Sequence, residues 1–169
     1  MSPPAFVIRP ESPLDDAAVE RLHERTFGPG RYARSAYRLR EGDGAATPQY
    51  CFSATIGTLL VGSIRMSPIL AGDAPALILG PLTVDPSFEG IGIGAALVRR
   101  ALESAGQAGE RLVLLVGDLP YYQRFGFAAA PRGQLKMPGP VNPERLLALE
   151  LAPGALAEAK GAIRPRPDA

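Results

Sequence analysis

Three glycines at alternate positions, Gly90, Gly92 and Gly94, stand between a strand-like segment and a helix-like segment. The segment before them, Ala76 to Val84, is mostly apolar, and the one after them keeps an apolar helical face to about Gln107. Glycine permits positive φ and lets a ligand approach the backbone without a Cβ in the way. The first N–H groups of a helix have no intrahelical acceptor and lie at the positive end of its dipole. The pattern therefore predicts a strand–turn–helix unit whose turn can hold a pyrophosphate.

The same residues allow two other interpretations. The glycines could simply tighten the connection between strand and helix. Gly90 to Ala95 also satisfies G-x-G-x-x-A, the nicotinamide-dinucleotide fingerprint, and Asp118 follows the next strand. Against that fingerprint, the segment Asp85 to Glu89 separates strand from glycine, and too little chain follows Asp118 for a second mononucleotide half. A P-loop is excluded because no Gly-Lys-Ser/Thr follows.

Hairpin-like strands precede the glycine turn. Gln49 to Thr55 and Leu59 to Leu70 flank a turn at Ile56-Gly57-Thr58, and Ala76 to Val84 is interrupted at Gly80-Pro81, which suits a bulge or an edge. After the helix, Leu112 to Val116 is a continuous apolar run, typical of a strand buried on both faces. Hairpins followed by a strand–helix–strand unit predict an α/β fold with a mixed sheet.

The two ends of the chain are less informative. Ala5 to Arg9 is predicted to be a strand, and a helix is expected to begin at Ser12 or Pro13. A second helix is expected from Arg31 to Arg40, and a last strand from Arg145 to Leu151. We expect one domain over residues 1–169, in which residues 162–169 form a frayed tail because they are rich in Pro and Arg.

Composition excludes several classes of protein. A net charge of +1 gives no basic footprint for nucleic acid. A lone cysteine, Cys51, and a lone histidine, His23, exclude an intramolecular disulfide and a zinc site built on several Cys or His ligands. Because no apolar run approaches a membrane span and the N-terminus lacks the features of a secretory signal, a cytoplasmic protein is the default expectation.

Two segments together resemble the GNAT superfamily of N-acetyltransferases. Leu82 to Leu97 is similar to its main cofactor motif, and Tyr121-Tyr122-Gln123-Arg124-Phe125-Gly126-Phe127 is similar to its aromatic-Tyr-x-x-x-Gly-Phe segment. The stretch Val116 to Tyr122 is most similar to a bacterial branch of predicted acetyltransferases. The resemblance implies a mostly antiparallel sheet with helices on both faces and a splayed pair of central strands, Ala76 to Val84 and Leu112 to Val116.

The resemblance also implies an activity and a site. Acetyl-CoA would be the cosubstrate, its pantetheine inserted between the splayed strands and its acetyl group passed to an amine. Tyr122 matches the tyrosine near the cofactor sulfur and would act as general acid, with Tyr121 as the fallback. The cofactor-binding residues would be Leu82, Thr83, Val84, Glu89, Gly90, Ile91, Gly92, Ile93, Gly94 and Ala95.

Two residues depart from the family pattern. Glu89 stands where Gln or Arg is common, and Ile91 stands where a basic residue is common. Both changes remove positive charge beside a pyrophosphate, but backbone donors do not depend on the side chain, so binding is expected to survive.

Other roles stay open at this point. The general base could be Asp73, Asp118, Glu24 or water, while His23 is expected on the surface of the first helix. Arg31, Arg34 and Arg38 share a helical face that would either contact an acidic acceptor or be solvated. The amine acceptor, small molecule or protein, is not identified, and a homodimer is left open. A silent acyl-CoA sensor and a nicotinamide-binding protein are the rival functions.

Overall fold

The computed structural model describes residues 4–27 and 48–167, and within them the chain forms nine strands and four α-helices. The strands are β1 Val7–Pro10, β2 Phe52–Ile56, β3 Leu59–Ala71, β4 Ala74–Val84, β5 Leu112–Val116, β6 Ala128–Ala129, β7 Leu135–Lys136, β8 Leu146–Glu150 and β9 Gly161–Pro165. The helices are α1 Asp16–Phe27, α2 Ile93–Gln107, α3 Leu119–Tyr122 and α4 Ala155–Glu158. The predicted helix from Arg31 to Arg40, with Arg31, Arg34 and Arg38, lies outside the described residues.

The strands form a mixed and mostly antiparallel sheet in the order β1-β2-β3-β4-β5-β8-β6. Only β4 with β5 and β7 with β9 pair in parallel. The register of β3 against β4 shifts between Ile64 and Met66, opposite Gly80-Pro81, so this proline lies at an irregularity, as the sequence predicts. The α/β fold class and the mixed sheet are confirmed.

Helices cover both faces of the sheet. One face carries Leu77, Leu79, Val113 and Leu115, which pack with the apolar stripe of α2 formed by Ile93, Leu97, Val98, Ala101 and Ala105. The alternate residues of the same strands, among them Ile78 and Leu114, face the other way and pack with α4 and β9. The run Leu112–Leu115 is therefore buried on both sides, as predicted.

Helix α1 begins with a capping box. The Ser12 hydroxyl accepts from the Leu14 amide at 3.2 Å, and the Asp15 carboxylate accepts from the Ser12 amide at 2.8 Å. Arg9 holds Asp15 through both guanidinium nitrogens, at 2.7 and 2.8 Å. These contacts place the helix on the sheet face opposite α2, where Asp15 also accepts from Ser53 at 3.5 Å.

No helix among the described residues is both long and apolar enough to cross a lipid bilayer.

The expectation of a frayed tail from residue 162 onward is wrong for the described part of this segment. Residues 161–165 form β9, which extends the free edge of β3 at Ile69, Leu70 and Ala71 beyond the end of β2. Ile163 is buried in the core, and Arg166 donates to the carbonyls of Ile69 and Ala76 and pairs with Glu110 at 3.2 Å. The partners of Arg166 lie 56 to 97 residues earlier in the chain, so no local pattern reveals them.

Candidate active site

The two central strands separate at one end. Strands β4 and β5 pair only at Leu77 with Val113 and at Ile78 with Leu114. Beyond Ile78, β4 runs on to Val84 without pairing to β5, which leaves a wedge between the two strands. The splayed pair that the resemblance implies is therefore present, and the glycine turn lies at its open end.

Only alternate residues of β4 turn their backbone toward this wedge. The Asp85 amide donates to the Val61 carbonyl at 2.8 Å, so position 85 faces β3. Because backbone groups alternate in direction along a strand, Thr83 also faces β3, while Leu82 and Val84 face the wedge. The sequence assigned the cofactor contact to all three residues, but the Thr83 backbone is already committed to the ladder with Ser63. Leu82 and Val84 are left for a ligand.

The glycine turn is open to a ligand from outside. Gly90 and Gly92 have φ of 82° and 93°, which side-chain-bearing residues rarely adopt, and a Cβ at either would meet no atom of the described residues within 4 Å. Gly92 is the residue before the first turn of α2, and its carbonyl accepts from Ala96 at 3.1 Å. Among the described residues, no hydrogen bond uses the N–H groups from Gly90 to Ala95.

The remaining residues of the turn divide by exposure. Glu89 is exposed, and its side chain forms no ion pair with any described residue. Ile93, the first residue of α2, has a buried side chain. Ile91 packs partly against the α2-side core, and Ala95 is half-buried. The side chains of Ile91 and Ile93 anchor the turn. Its backbone N–H groups, rather than side chains, are therefore the groups available to a phosphate.

Tyr122 lies where β5 leaves the sheet. A Cβ built on Gly117 would come within 2.6 Å of Cε2 of the Tyr122 ring and 3.0 Å of Cδ1 of Leu115. The ring also packs edge-on against Phe127, with centroids 5.9 Å apart. Tyr122 is therefore held at the open end of the wedge by a glycine that leaves room for it.

Tyr121 lies on the other side of the same opening. A Cβ built on Gly94 would come within 2.9 Å of the Tyr121 hydroxyl and 3.6 Å of Cγ2 of Val84. Burial raises the pKa of Tyr121 above its ordinary value, and the positive charges of Arg124 and Arg99 oppose this rise. The two tyrosines, both in α3, meet edge to face at 4.9 Å; Tyr121 faces Gly94 of the glycine turn and Tyr122 faces Gly117 at the end of β5.

The three acidic candidates for a general base separate in space. Asp73 sits in the β3–β4 hairpin and pairs with Arg164 at 3.3 Å, roughly 35 Å of strand away from Val84, which removes it. Asp118 directly follows β5 and pairs with Arg145 at 3.3 Å. Glu24 is exposed on α1, next to Arg25, which contacts Asp85 at 3.2 Å.

A buried polar patch behind β4 was missed from the sequence. His23 is fully buried, not on the surface as expected, and the side chains of Ser63 and Thr83, which are paired residues of β3 and β4, are buried as well. The hydroxyls of Ser63 and Thr83 are buried and have no hydrogen-bond partner among the described residues, although such groups are normally satisfied. The sequence did hold a signal for this patch. Thr83 is polar and stands between Leu82 and Val84, whose side chains pack on the α2 side.

The chain is similar to known acetyltransferases over most of its length. The Acetyltransferase (GNAT) family pattern matches residues 17–127. The Escherichia coli K12 protein named uncharacterized N-acetyltransferase YhbS is 30% identical over 160 residues, which are 94% of this chain and 95% of that protein.

Solved structures agree with this match. The crystal structure of YhbS from E. coli in complex with CoA has a TM-score of 0.81 at 29% identity, covering 98% of this chain and 93% of that one. A GNAT acetyltransferase from Brucella melitensis in complex with acetyl-CoA has a TM-score of 0.62 at 32% identity, covering 86% of this chain and 96% of that one. With a family pattern over residues 17–127 and a relative that is 30% identical over most of both chains, this chain belongs to the GNAT family of acetyltransferases.

Proposed function

We propose that this protein transfers an acetyl group from acetyl-CoA to an amine by direct attack. The observation that supports it most is the wedge between β4 and β5 with a ligand-accessible glycine turn at its open end. The CoA and acetyl-CoA complexes of the relatives from E. coli and B. melitensis support the same cosubstrate. The acceptor amine, a cytoplasmic location and a homodimer stay predictions.

The residues of the site fit this cosubstrate. The pyrophosphate would bind the N–H groups between Gly90 and Ala95, where a Cβ on the left-handed glycines would obstruct it. The pantetheine arm would lie along Leu82 and Val84 and complete the backbone hydrogen bonding of the open β4 edge.

Bond changes at the thioester need two protein contributions. The amine nitrogen attacks the carbonyl carbon, and a backbone N–H of Leu82 or Val84 stabilises the negative charge that develops on its oxygen. The carbon–sulfur bond then breaks, and the Tyr122 hydroxyl donates its proton to the departing thiolate. The amine loses its proton to water or to a carboxylate at the open end, where Asp118 and Glu24 remain candidates.

Two measurements test the proposal. Titration calorimetry compares coenzyme A with a nicotinamide dinucleotide, and thiol release from acetyl-CoA is then followed with and without a panel of amines. We expect coenzyme A to bind and thiol release to depend on the amine. Binding without release would identify a silent sensor, and preference for the nicotinamide dinucleotide would reject the proposed cosubstrate.

A further inference from the structure

Two exposed arginines flank the aromatic residues beside the glycine turn. The Arg99 guanidinium carbon lies 5.3 Å from the ring centroid of Phe125, and that of Arg124 lies 4.5 Å from the ring centroid of Tyr121. The two rings contact each other edge to face at 5.6 Å. Among the described residues, neither arginine forms an ion pair with a carboxylate.

The guanidinium groups are held in place before any ligand arrives. Nε of Arg124 donates to the Tyr121 carbonyl at 2.8 Å, and both arginines lie over an aromatic face. The Tyr121 hydroxyl would lie 2.9 Å from a Cβ built on Gly94, so this cluster borders the first turn of α2. Because a planar guanidinium held by stacking loses little freedom on binding, the pair is suited to recognise an anion.

The glycine turn itself supplies no cation for a phosphorylated ligand. Glu89 adds a negative charge at its edge, and Ile91 stands where many relatives have a basic residue. Backbone N–H groups can hold a pyrophosphate, but coenzyme A carries a third phosphate on its ribose, with nearly two charges at neutral pH. That group needs cations that the turn does not provide.

Resting on the proposed function, we propose that Arg99 and Arg124 form the subsite for the 3′-phosphate of coenzyme A. Arg99 is five residues past Gly94 along α2, about 7 Å farther from the turn, so it is displaced from the N–H groups that would take the pyrophosphate. Each guanidinium presents the forked N–H donors that phosphate oxygens accept. The subsite makes the protein select coenzyme A over its dephospho form.

Calorimetric titration of the full chain with coenzyme A and with dephospho-coenzyme A tests this subsite. We expect the wild type to prefer coenzyme A, and Arg99→Gln and Arg124→Gln each to weaken coenzyme A binding about tenfold while leaving dephospho-coenzyme A unchanged. The preference should also shrink as salt is raised, because exposed charges are screened.

Arg100→Gln is the matched control. Arg100 is the next residue of the same helix and also lies over a ring, but that ring is Phe52, on the far side of α2, at 5.2 Å. This variant should keep the full preference for coenzyme A, and thermal unfolding without ligand should be alike in all three variants.

Three results would overturn the subsite. If both ligands weaken equally in Arg99→Gln and Arg124→Gln, the arginines hold the pyrophosphate or the fold instead. If the wild type binds both ligands equally, the 3′-phosphate is not recognised. If neither ligand binds the wild type, the proposed function itself fails, and the subsite fails with it.

Discussion

The ring of Tyr122 occupies the space that a side chain at position 117 would need. A Cβ on Gly117 would lie 2.6 Å from Cε2 and 3.1 Å from Cδ2 of that ring, although φ at this glycine is not positive. Alanine is therefore compatible with the backbone but not with the tyrosine.

Gly117→Ala is expected to displace Tyr122 and to reduce acetyl transfer about 10²-fold, because misplacing a reacting group by about 1 Å has that effect. Affinity for coenzyme A should change little, since the glycine turn is untouched. Gly106→Ala, an exposed position of α2 where a Cβ meets no atom within 4 Å, is the control and should be neutral or slightly stabilising. Normal turnover in Gly117→Ala would show that the position of this ring does not matter.

Replacing each tyrosine of the pair by phenylalanine should give different losses. Tyr122→Phe keeps the packing against Gly117 but removes the proton donor, so kcat should fall roughly 10²–10⁴-fold with coenzyme A affinity nearly unchanged. Tyr121→Phe removes a hydroxyl beside Gly94 and should mainly weaken coenzyme A binding. Kinetics and calorimetry on both variants separate the effects, and full activity in Tyr122→Phe would leave water to protonate the thiolate.

The glycine turn can be tested against another glycine with the same backbone conformation. Gly92 and Gly57 both have positive φ, 93° and 59°, and a Cβ on either meets no atom within 4 Å. Valine should therefore strain the backbone in both variants, but only Gly92→Val obstructs the phosphate approach. We expect Gly57→Val to lose stability alone and Gly92→Val to lose coenzyme A affinity as well. Equal affinity in both would make the turn purely structural.

Features encoded by neighbouring residues were predictable from the sequence. The glycine turn with α2 and the apolar strand β5 depend on spacings within a few residues, and they are found where expected. The choice among Leu82, Thr83 and Val84 was not predictable, because it depends on which edge of β4 faces β3. The burial of His23 was not predictable either, because the pattern of a single helix does not show which distant elements cover it.

The tail shows the same limit, because the residues that it contacts are distant in the sequence. A chain ending at Gly161 loses the buried Ile163 and the Arg166 contacts to Ile69, Ala76 and Glu110. Burial of one isoleucine is worth about 2–3 kcal/mol, so we expect a clear drop in the free energy of unfolding, measured in urea.

Point variants locate that loss. Arg166→Gln should destabilise the protein by about 1–3 kcal/mol, because it leaves buried acceptors unpaired. Arg164→Gln removes an exposed contact between β9 and Asp73, so it should change the free energy of unfolding by no more than about 0.5 kcal/mol. Equal stability of the truncated and full chains would mean that this segment does not stabilise the fold.

Glu110 also accepts a hydrogen bond from Tyr50, and this contact predicts a response to alkaline pH. The Tyr50 ring is buried, and its hydroxyl donates to Glu110 at 2.8 Å. Burial and then the Glu110 hydrogen bond raise the pKa of Tyr50 from 10.0 to about 12, with Arg166 opposing. Because the folded pKa lies above the unfolded one, this tyrosine contributes its full stability below pH 10 and loses it between pH 10 and 12.

Unfolding in urea at several pH values between 8 and 12 should show this loss by comparison with Tyr50→Phe. Below pH 10 the wild type should be more stable by about 1 kcal/mol, the value of one hydrogen bond. A pKa difference of this size corresponds to roughly 3 kcal/mol, so the wild type should fall below Tyr50→Phe as the pH approaches 12. Glu110→Gln should reduce the loss of stability between pH 10 and 12 without abolishing it, because burial is the larger cause of the raised Tyr50 pKa. Parallel curves for wild type and Tyr50→Phe across this range would mean that Tyr50 ionises as readily in the folded chain as in the unfolded one.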